Sequence, residues 1–410
     1  MTTATCRFCA TPLRTSFADL GTTPLSNAFI HPDQADRPEP VFPLHAYVCD
    51  TCRLVQLEPV ATPADIFSDY IYFSSYADSW LRHAETYAAA MVRRFNLTPR
   101  SLVVEVASND GYLLQYFAQR GMRVLGIDPA ANVAKAAEAR GVPTLVEFFG
   151  RDLAEKLAVG GRRADLVIGN NVLAQVPDLN DFVAGVRVLL QPDGVATFEF
   201  PHLLRLMREN QFDTIYHEHF SYFSLLTAQR IFAAHRLRVF DVEPLWSHGG
   251  SLRLYLCHDG NAGLATGERV EAVLDEERAA GLDRLDAYAG FAEQVRETKR
   301  KLLDFLIAAK RAGKRVAGYG APGKGNTLLN YCGIRQDFLD YTVDRNPYKH
   351  GRFTPGTHIP IHAPEQLRLT RPDYVLILPW NLKDEIMAQH AYIRDWGGRF
   401  IVPIPEVRVE

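Results

Sequence analysis

The spacing of apolar residues divides the chain into stretches of different character. From residue 101 onward, short apolar runs alternate with stretches of helical spacing. The runs that predict buried strands are "SLVVEVA", "RVLGIDP", "ADLVIGNNVLAQV" and "DGVATFEFP", the third continuing into a loop and helix. The helices between them are predicted from "GYLLQYFAQRG" and "NVAKAAEARG". Strands and helices that alternate at this interval predict a parallel, doubly wound sheet. Two later runs, "RVFDVEPLW" and "GSLRLYLCH", predict antiparallel strands that close it.

A second, smaller α/β unit is predicted towards the C-terminus. Residues 264–312 show no strand pattern and are rich in Ala, Glu, Arg and Leu. They predict one long helix or two, broken at Gly281 or Gly290. Strand and turn patterns then return in "RVAGYGAPGKGNTLLNYCG", "LDYTVDRNP", "DYVLILPWN" and "RFIVPIP". These segments predict a second Rossmann-like domain.

The N-terminal part differs from both units. Residues 1–65 are Pro-rich, and we expect few strands there, as in a small domain that folds around a metal. Residues 69–95 predict a Tyr-rich loop that leads into an amphipathic helix. The fold class is therefore predicted to be α/β, with domains at residues 1–65, 66–262 and 263–410.

The composition is ordinary for a soluble globular protein, with 47% hydrophobic and 23% charged residues. The formal net charge of −3 argues against a nucleic-acid-binding protein, which usually carries a basic stripe. No apolar run reaches the roughly 18–20 residues that span a bilayer. Because the sequence begins "MTTATCRFCA", without a charged-then-apolar leader, we expect a cytoplasmic protein. No heptad repeat stands out, and we expect a monomer.

Four of the six cysteines form two C-x-x-C pairs, Cys6 with Cys9 and Cys49 with Cys52. This spacing is typical of a tetrahedral zinc site with four thiolate ligands. Disulfides are the alternative, which a cytoplasmic location disfavours. Four thiolates leave no coordination position for water, so the predicted zinc is structural rather than catalytic. Cys257 is isolated, as is Cys332, and both are predicted to be core residues.

A ligand site is predicted at residues 105–111, "EVASNDG", between a strand and a helix. The glycines of a G-x-G-x-x-G dinucleotide fingerprint are missing, and the turn is acidic and rich in hydroxyl and amide groups. Such a turn suits a cationic ligand without phosphate, and Asp128 at the end of the next strand can accept both ribose hydroxyls. We predict S-adenosylmethionine here, a degenerate NAD site being the alternative. The predicted contacts are Glu105, Ala107, Ser108, Asn109, Gly111, Asp128, Pro129, Asn170 and Asn171.

The stretch "YHEHFSYFS" places Tyr216, His217, Glu218 and His219 side by side, with Tyr222 close behind. An imidazole titrates near neutral pH, so the stretch can act in acid–base chemistry. A metal site is an alternative, although zinc proteases use H-E-x-x-H, which places both histidines on one helix face. A polar core patch without a catalytic role is another.

Six motifs follow the cysteine module in a fixed order. They are "PLSNAF", "YFSSYADSWLRHA", "EVASNDGY", "YHEHFSYFS", "HGGSLR" and "GYGAPGKGNTLLN". Together they span nearly the whole chain, which resembles the S-adenosylmethionine-dependent sugar C-methyltransferase family. The resemblance implies a zinc-binding lid, a class I methyltransferase core and a C-terminal domain that contributes to sugar-nucleotide binding. It also implies methylation at C-3′ of a dTDP-linked 4-keto-deoxysugar, in the biosynthesis of sugars for antibiotics.

The resemblance implies roles for individual residues. In the Y-H-E-H motif, Tyr216, Glu218 and His219 match active-site positions, with His219 as the base. His217 is expected to point away if the loop is extended. An active-site tyrosine is expected before the first helix, at Tyr70 or next at Tyr72. Tyrosines that only pack between domains are the alternative.

One position departs from the family pattern. Relatives carry an active-site histidine where this chain has Gln175, which can hydrogen-bond but cannot exchange a proton. In the C-terminal unit, the glycine-rich turn suits a diphosphate, and a purely structural turn is the alternative. Asp344 leaves a residual dinucleotide site open. The predicted substrate contacts are Tyr76, Tyr222, His248, Lys324 and Asn326.

Two other functions remain open from the sequence. One is a bifunctional enzyme that also reduces the 4-keto group with NADPH, using the altered pocket around Gln175. The other is a binding protein or scaffold that keeps the fold without catalysis, which the intact Tyr216, Glu218 and His219 disfavour.

Overall fold

The computed structural model describes residues 4–60, 62, 73–76 and 78–410, which form three β-sheets. The first sheet contains β1 Thr15–Thr23, β2 Phe42–Val48, β3 Val55–Leu57 and β9 Ser221–Tyr222. The second contains β4 Leu102–Val106, β5 Arg123–Ile127, β6 Thr144–Leu145, β7 Ala164–Asn170, β8 Leu190–Pro201, β10 Leu237–Leu245 and β11 Ser251–His258. The third contains β12 Val316–Tyr319, β13 Thr342–Val343, β14 Ile361–His362, β15 Tyr374–Ile377, β16 Arg399–Val402 and β17 Arg408–Val409.

The expectation of few strands in the N-terminal module is wrong. Strands β1, β2 and β3 form an antiparallel sheet there, and β9 adds to its edge through Val55 and Gln56. In β2, Leu44, Ala46 and Val48 alternate as buried residues, a period-2 pattern that was present in the sequence. In β1, register shifts interrupt the alternation, because bulged residues change which face the side chains occupy.

The central sheet has the order β10-β11-β8-β7-β4-β5-β6. Strands β4 to β8 pair in parallel, whereas β11 pairs antiparallel with β8 and β10. The predicted doubly wound sheet closed by two antiparallel strands is thus confirmed. Four elements of this region were missed: β6, the helix that follows it, and the two helices between β8 and β10. The helices of this part are α1 Asp78–Arg94, α2 Leu114–Ala118, α3 Ala131–Ala139, α4 Arg151–Val159, α5 Leu179–Leu189, α6 Leu203–Arg208 and α7 Leu225–Ala234.

The predicted break in the linker helix occurs at both glycines. Helix α8 Glu268–Ala279 ends just before Gly281, whose φ of 81° favours glycine, and α9 Phe291–Arg311 begins after Gly290. The C-terminal sheet has the order β14-β13-β12-β15-β16-β17 and is parallel except for β17. Its helices are α10 Gly323–Cys332, α11 Gln366–Thr370 and α12 Lys383–Gln389. The second Rossmann-like domain is confirmed.

The three parts pack against one another. Phe17 of the N-terminal sheet stacks on Phe291 of the linker, with ring centroids 4.6 Å apart, and one hydrophobic cluster runs from this sheet to the C-terminal sheet. Cys257 and Cys332 are buried in the core, as predicted. Of the helices in the described part of the chain, none is long and apolar enough to cross a bilayer.

Candidate active site

A cavity of about 480 Å³ lies where the three parts meet. Its walls come from the carboxyl ends of β4, β5 and β7, from the "YHEH" loop, and from the ends of β12 and β13. Open α/β sheets bind ligands at the carboxyl ends of their strands, and here two such ends face one cavity. The ligand-binding edges of both α/β units therefore meet at one cavity.

The turn after β4 forms one wall. Ala107 (φ 58°) and Asn109 (φ 49°) adopt left-handed conformations, which let the chain reverse sharply. The backbone N–H of Asn109 donates to the Asp128 carboxylate at 2.9 Å, and that of Ala130 donates to its other oxygen at 3.0 Å. The Asp128 carboxylate is thereby fixed at the end of β5 and lines the cavity.

The amide and carboxylate oxygens of this wall fit a cationic ligand. The side-chain amide oxygens of Asn170 and Asn171 are buried and accept no hydrogen bond from any described residue. Burial raises the pKa of Glu105 well above its usual range, and the neighbouring Asp128 and Asp110 raise it further. A sulfonium or ammonium group placed here would offset this crowding of carboxylates. S-adenosylmethionine carries both groups, so the residues present fit it.

Of the nine residues predicted to contact S-adenosylmethionine, six line the cavity, namely Ala107, Asn109, Asp128, Pro129, Asn170 and Asn171. Glu105, Ser108 and Gly111 lie behind it and shape the turn. Gly111 has a φ of 74°, and a Cβ there would come 3.1 Å from Val142, so the close packing of the turn requires glycine.

The "YHEH" loop places His219 in the cavity wall. The Nδ1 atom of His219 lies 2.9 Å from the Thr214 carbonyl oxygen. Because a carbonyl only accepts, Nδ1 carries the proton and Nε2 keeps a free lone pair. Burial is the main reason that the pKa of His219 falls to about 4, with smaller contributions from His248 and Lys324. At neutral pH the imidazole is therefore uncharged and able to accept a proton at Nε2.

The neighbours of His219 take different positions. The Tyr216 ring packs 4.0 Å from the His219 ring and also lines the cavity. Glu218 is buried behind the wall, where it accepts a hydrogen bond from Asn27 Nδ2 at 2.5 Å. His217 lies away from the cavity with Nε2 3.0 Å from the Pro43 carbonyl, although the backbone turns here instead of extending.

A cluster around Lys324 forms a further part of the site. The Lys324 ammonium lies 4.5 Å from the centroid of the Trp380 ring and donates a hydrogen bond to Asn381. Trp380 Nε1 donates to the buried Asp213 carboxylate at 2.7 Å. Burial lowers the pKa of Lys324 to about 8, which Asp213 opposes, and raises the pKa of Asp213 to about 6. His248 (φ 56°) also lines the cavity, and burial lowers its pKa to about 4.

The other predicted residues are divided between the cavity and its surroundings. Gln175 and the half-exposed Tyr76 line the cavity. Tyr222 does not, because β9 pairs it with the N-terminal sheet. Asn326 does not either, because its amide donates to the Ser26 carbonyl at 2.6 Å and is buried in α10. Tyr70 and Tyr72 lie outside the described residues.

Sequence reasoning gave no role to several residues in and around the site, among them Asn27, Asp213 and Trp380. Asn27 belongs to the "PLSNAF" motif, which was noted but given no role. Trp380 lies shortly after the end of β15 in the second Rossmann-like unit, where ligand contacts concentrate, and that position was a usable signal. Nothing in the sequence around Asp213 marks it.

The four predicted metal ligands come together away from the cavity. The Sγ atoms of Cys6, Cys9, Cys49 and Cys52 all lie within 4.8 Å of one another. A zinc ion about 2.3 Å from each sulfur would fit this set. Within the described ranges, no other group of three or more His, Cys, Asp or Glu side chains is placed to hold a metal, and the "YHEH" stretch forms no such group.

Comparisons with known proteins match all three parts of the chain. The family model "Methyltransferase domain" matches residues 80–241, "C-methyltransferase C-terminal domain" matches residues 246–405, and "Putative zinc binding domain" matches residues 6–67. The C-methyltransferase NovU of Streptomyces niveus is 40% identical over 407 residues, covering 98% of this chain and 96% of that protein.

Two further comparisons cover smaller shares of this chain. A ubiquinone biosynthesis O-methyltransferase of Methylobacterium sp. (strain 4-46) is 35% identical over 23% of this chain and 38% of its own length. Magnesium protoporphyrin IX methyltransferase (ChlM) of Synechocystis PCC 6803, solved with bound SAM, has a TM-score of 0.34 and 16% identity over 43% of this chain and 79% of that one. On the full-length match and the three family models, this chain belongs to the S-adenosylmethionine-dependent C-methyltransferase family that includes NovU.

Proposed function

We propose that this methyltransferase transfers the methyl group of S-adenosylmethionine to C-3′ of a dTDP-linked 4-keto-6-deoxysugar. The observation that carries the proposal is the state of His219. Its Nδ1–H donates to the Thr214 carbonyl, which leaves the uncharged Nε2 as a proton acceptor. The same cavity is lined by residues that are predicted to bind S-adenosylmethionine.

The reaction needs a base because carbon is a poor nucleophile. A C–H group beside a ketone can lose its proton, since the resulting enolate places negative charge on oxygen. His219 would take this proton at Nε2, and the enolate carbon would attack the methyl group held in line at the Asp128 and Asn171 side of the cavity. Tyr216 packs on His219 and would orient the sugar, whereas Glu218 would hold the loop through Asn27. Tyr70 and Tyr72 remain predicted contacts.

The nucleotide half of the substrate is assigned to the C-terminal unit. Asp344 at the end of β13 accepts hydrogen bonds from the backbone N–H groups of Ala321 (2.7 Å) and Asn346 (2.8 Å), as Asp128 does in the first unit. Arg345 lines the cavity beside it and offers positive charge to a diphosphate. The zinc site would hold the N-terminal module that supplies Asn27. The division at residues 65 and 262 remains a prediction.

The test is product mass analysis with a matched variant. The wild type is incubated with S-adenosylmethionine and a dTDP-4-keto-2,6-dideoxyhexose, with and without NADPH. We expect a gain of one methyl group that does not need NADPH, and a loss of at least ~10²-fold in kcat for His219→Asn, as is typical when a general base is removed. His217→Asn is the control, since His217 lies outside the cavity. A gain of two hydrogens that requires NADPH would favour a reductase, and no mass change would refute the proposed acceptor.

A further inference from the structure

The position of Lys324 does not suit a residue that binds only phosphate. Its ammonium lies over the Trp380 ring and donates to Asn381, while Trp380 is tied to the buried Asp213. By contrast, Arg345 keeps 47% of its side-chain surface exposed, as expected of a cation that meets a solvated diphosphate. Lys324 is thus more enclosed than Arg345, and it has Asp213 as an acidic neighbour.

The Lys324 cluster packs directly on the proposed chemistry. A Cβ at Gly323 would lie 3.5 Å from Cε2 of Tyr216, and Thr327 Oγ1 donates to the Ile215 carbonyl at 3.2 Å, so the first turn of α10 lies against the "YHEH" loop. The Trp380 ring lies 2.6 Å from where a Cβ of Gly249 would be. Lys324 is close enough to both His219 and His248 to lower their pKa values.

A weak base requires strong stabilisation of the anion that it creates. With a pKa of about 4, His219 can deprotonate a ketone only if the enolate oxygen is held by a positive charge or by hydrogen-bond donors. Among the described residues that line the cavity, Lys324 is the cation packed beside this loop. Lys324 therefore lies in the same part of the cavity as His219.

We propose that Lys324 is a catalytic residue whose ammonium faces the ketone oxygen of the acceptor and stabilises the enolate. This inference rests on the proposed function. The proton moves from carbon to His219 Nε2, and the C–H electron pair becomes the enolate, whose negative oxygen is paired with Lys324. The enolate carbon then forms a bond to the methyl carbon, the bond from that carbon to sulfur breaks, and neutral S-adenosylhomocysteine leaves. Asp213 is a positioning residue that acts on Lys324 through charge and through Trp380.

The first test separates this role from phosphate binding. For Lys324→Met we expect kcat to fall by roughly 10²–10³-fold, as for the loss of one oxyanion donor, with KM changed less than about threefold. A lysine that only bound diphosphate would instead show a raised KM and an unchanged kcat, which would overturn the inference. Lys301→Met, at an exposed lysine of α9, is the matched control. If the wild type itself does not methylate the sugar, it is the proposed function that fails.

A second test uses solvent exchange without methyl transfer. With S-adenosylhomocysteine in D₂O, the wild type should incorporate deuterium at C-3′, and Lys324→Met should lose this exchange to the same degree as kcat. Exchange at the wild-type rate would overturn the inference. Trapping of a reduced covalent adduct on Lys324 by borohydride would overturn it as well, because the lysine would then act as a Schiff base.

A third test distinguishes chemistry from a structural role. The titratable groups that face Lys324 from the packed elements are Asp213, His219 and His248. The alkaline limb of kcat should follow the pKa of Lys324, about 8, since the ammonium is lost above it. Asp213→Asn removes a charge that raises this pKa, so the limb should move to lower pH. An unmoved limb in a folded Asp213→Asn variant would contradict the assignment.

Discussion

A buried ion pair beside the cavity leads to a quantitative prediction for Glu199→Gln. The Glu199 carboxylate is fully buried in β8 and accepts from Arg253 at 2.7 Å, from His83 at 3.0 Å and from Ser247 at 2.6 Å. Arg253 is only 4% exposed. Glutamine keeps the shape and part of the hydrogen bonding but removes the charge. Among the described residues, the guanidinium of Arg253 would then keep only the more exposed Glu243 as an acidic partner.

The expected loss of stability follows from the structure in two ways. Burial opposes ionisation of Glu199, but the hydrogen bond from His83 and the charge of Arg253 outweigh it and lower the pKa from its usual 4.5 to about 2. That difference corresponds to ~3 kcal/mol of folding free energy at neutral pH, as each pKa unit is worth about 1.4 kcal/mol. Removing one partner of a buried pair costs roughly 3–5 kcal/mol, which agrees.

The assay is urea unfolding followed by tryptophan fluorescence. Trp80 stacks on His83 and Trp246 meets it edge-on, so two of the four tryptophans report on this network. Because the folded pKa is depressed, the difference between wild type and variant should be full above about pH 4.5 and lost as the pH falls towards 2.

A control variant and a double variant test whether the loss of stability comes from the unpaired charge of Arg253. Glu293→Gln, in an exposed pair on α9, should leave stability unchanged. The double variant Glu199→Gln/Arg253→Met should lose less stability than the sum of the single variants, because no uncompensated charge remains. A loss below about 1 kcal/mol at pH 7, or a loss independent of pH, would falsify the reasoning.

Two further predictions concern the four-cysteine module and Trp380 of the Lys324 cluster. Cys49→Ser should release zinc and disorder the N-terminal sheet, measured as metal per chain and as proteolysis, and stoichiometric zinc in the variant would contradict this. Gly249→Ala should displace Trp380, because the new Cβ would lie 2.6 Å from its ring at a φ of 89°, and should reduce kcat at least ~10-fold with methyl-donor affinity unchanged. Gly260→Ala, where a Cβ meets nothing within 4 Å, is the control.

The local pattern was enough to predict much of the fold and part of the site. Buried parallel strands give continuous apolar runs, so β4, β5, β7 and β8 could be recognised individually. The two C-x-x-C pairs predicted the four-cysteine cluster because each pair folds as a short local turn. The turn after β4 and Asp128 at the end of β5 were predictable for the same reason, since strand ends carry ligand sites.

The N-terminal sheet shows where local patterns failed. Register shifts in β1 break the alternation that identifies a strand, and β9 joins this sheet from about 160 residues further along the chain. Pairing between distant segments depends on backbone hydrogen bonds that any residue can make, so it leaves little trace in the sequence.

The sequence by itself determined which side chains could carry the chemistry, whereas the tertiary structure decided which of them meet and in what state. "YHEH" indicated His219, but only folding brings the Thr214 carbonyl to its Nδ1 and leaves Nε2 free. The Lys324 cluster brings together Lys324, Asp213 and Trp380, which come from three distant parts of the chain. The pKa values of His219, Lys324 and Asp213 are set by burial and by neighbouring charges, and both exist only when the domains pack together.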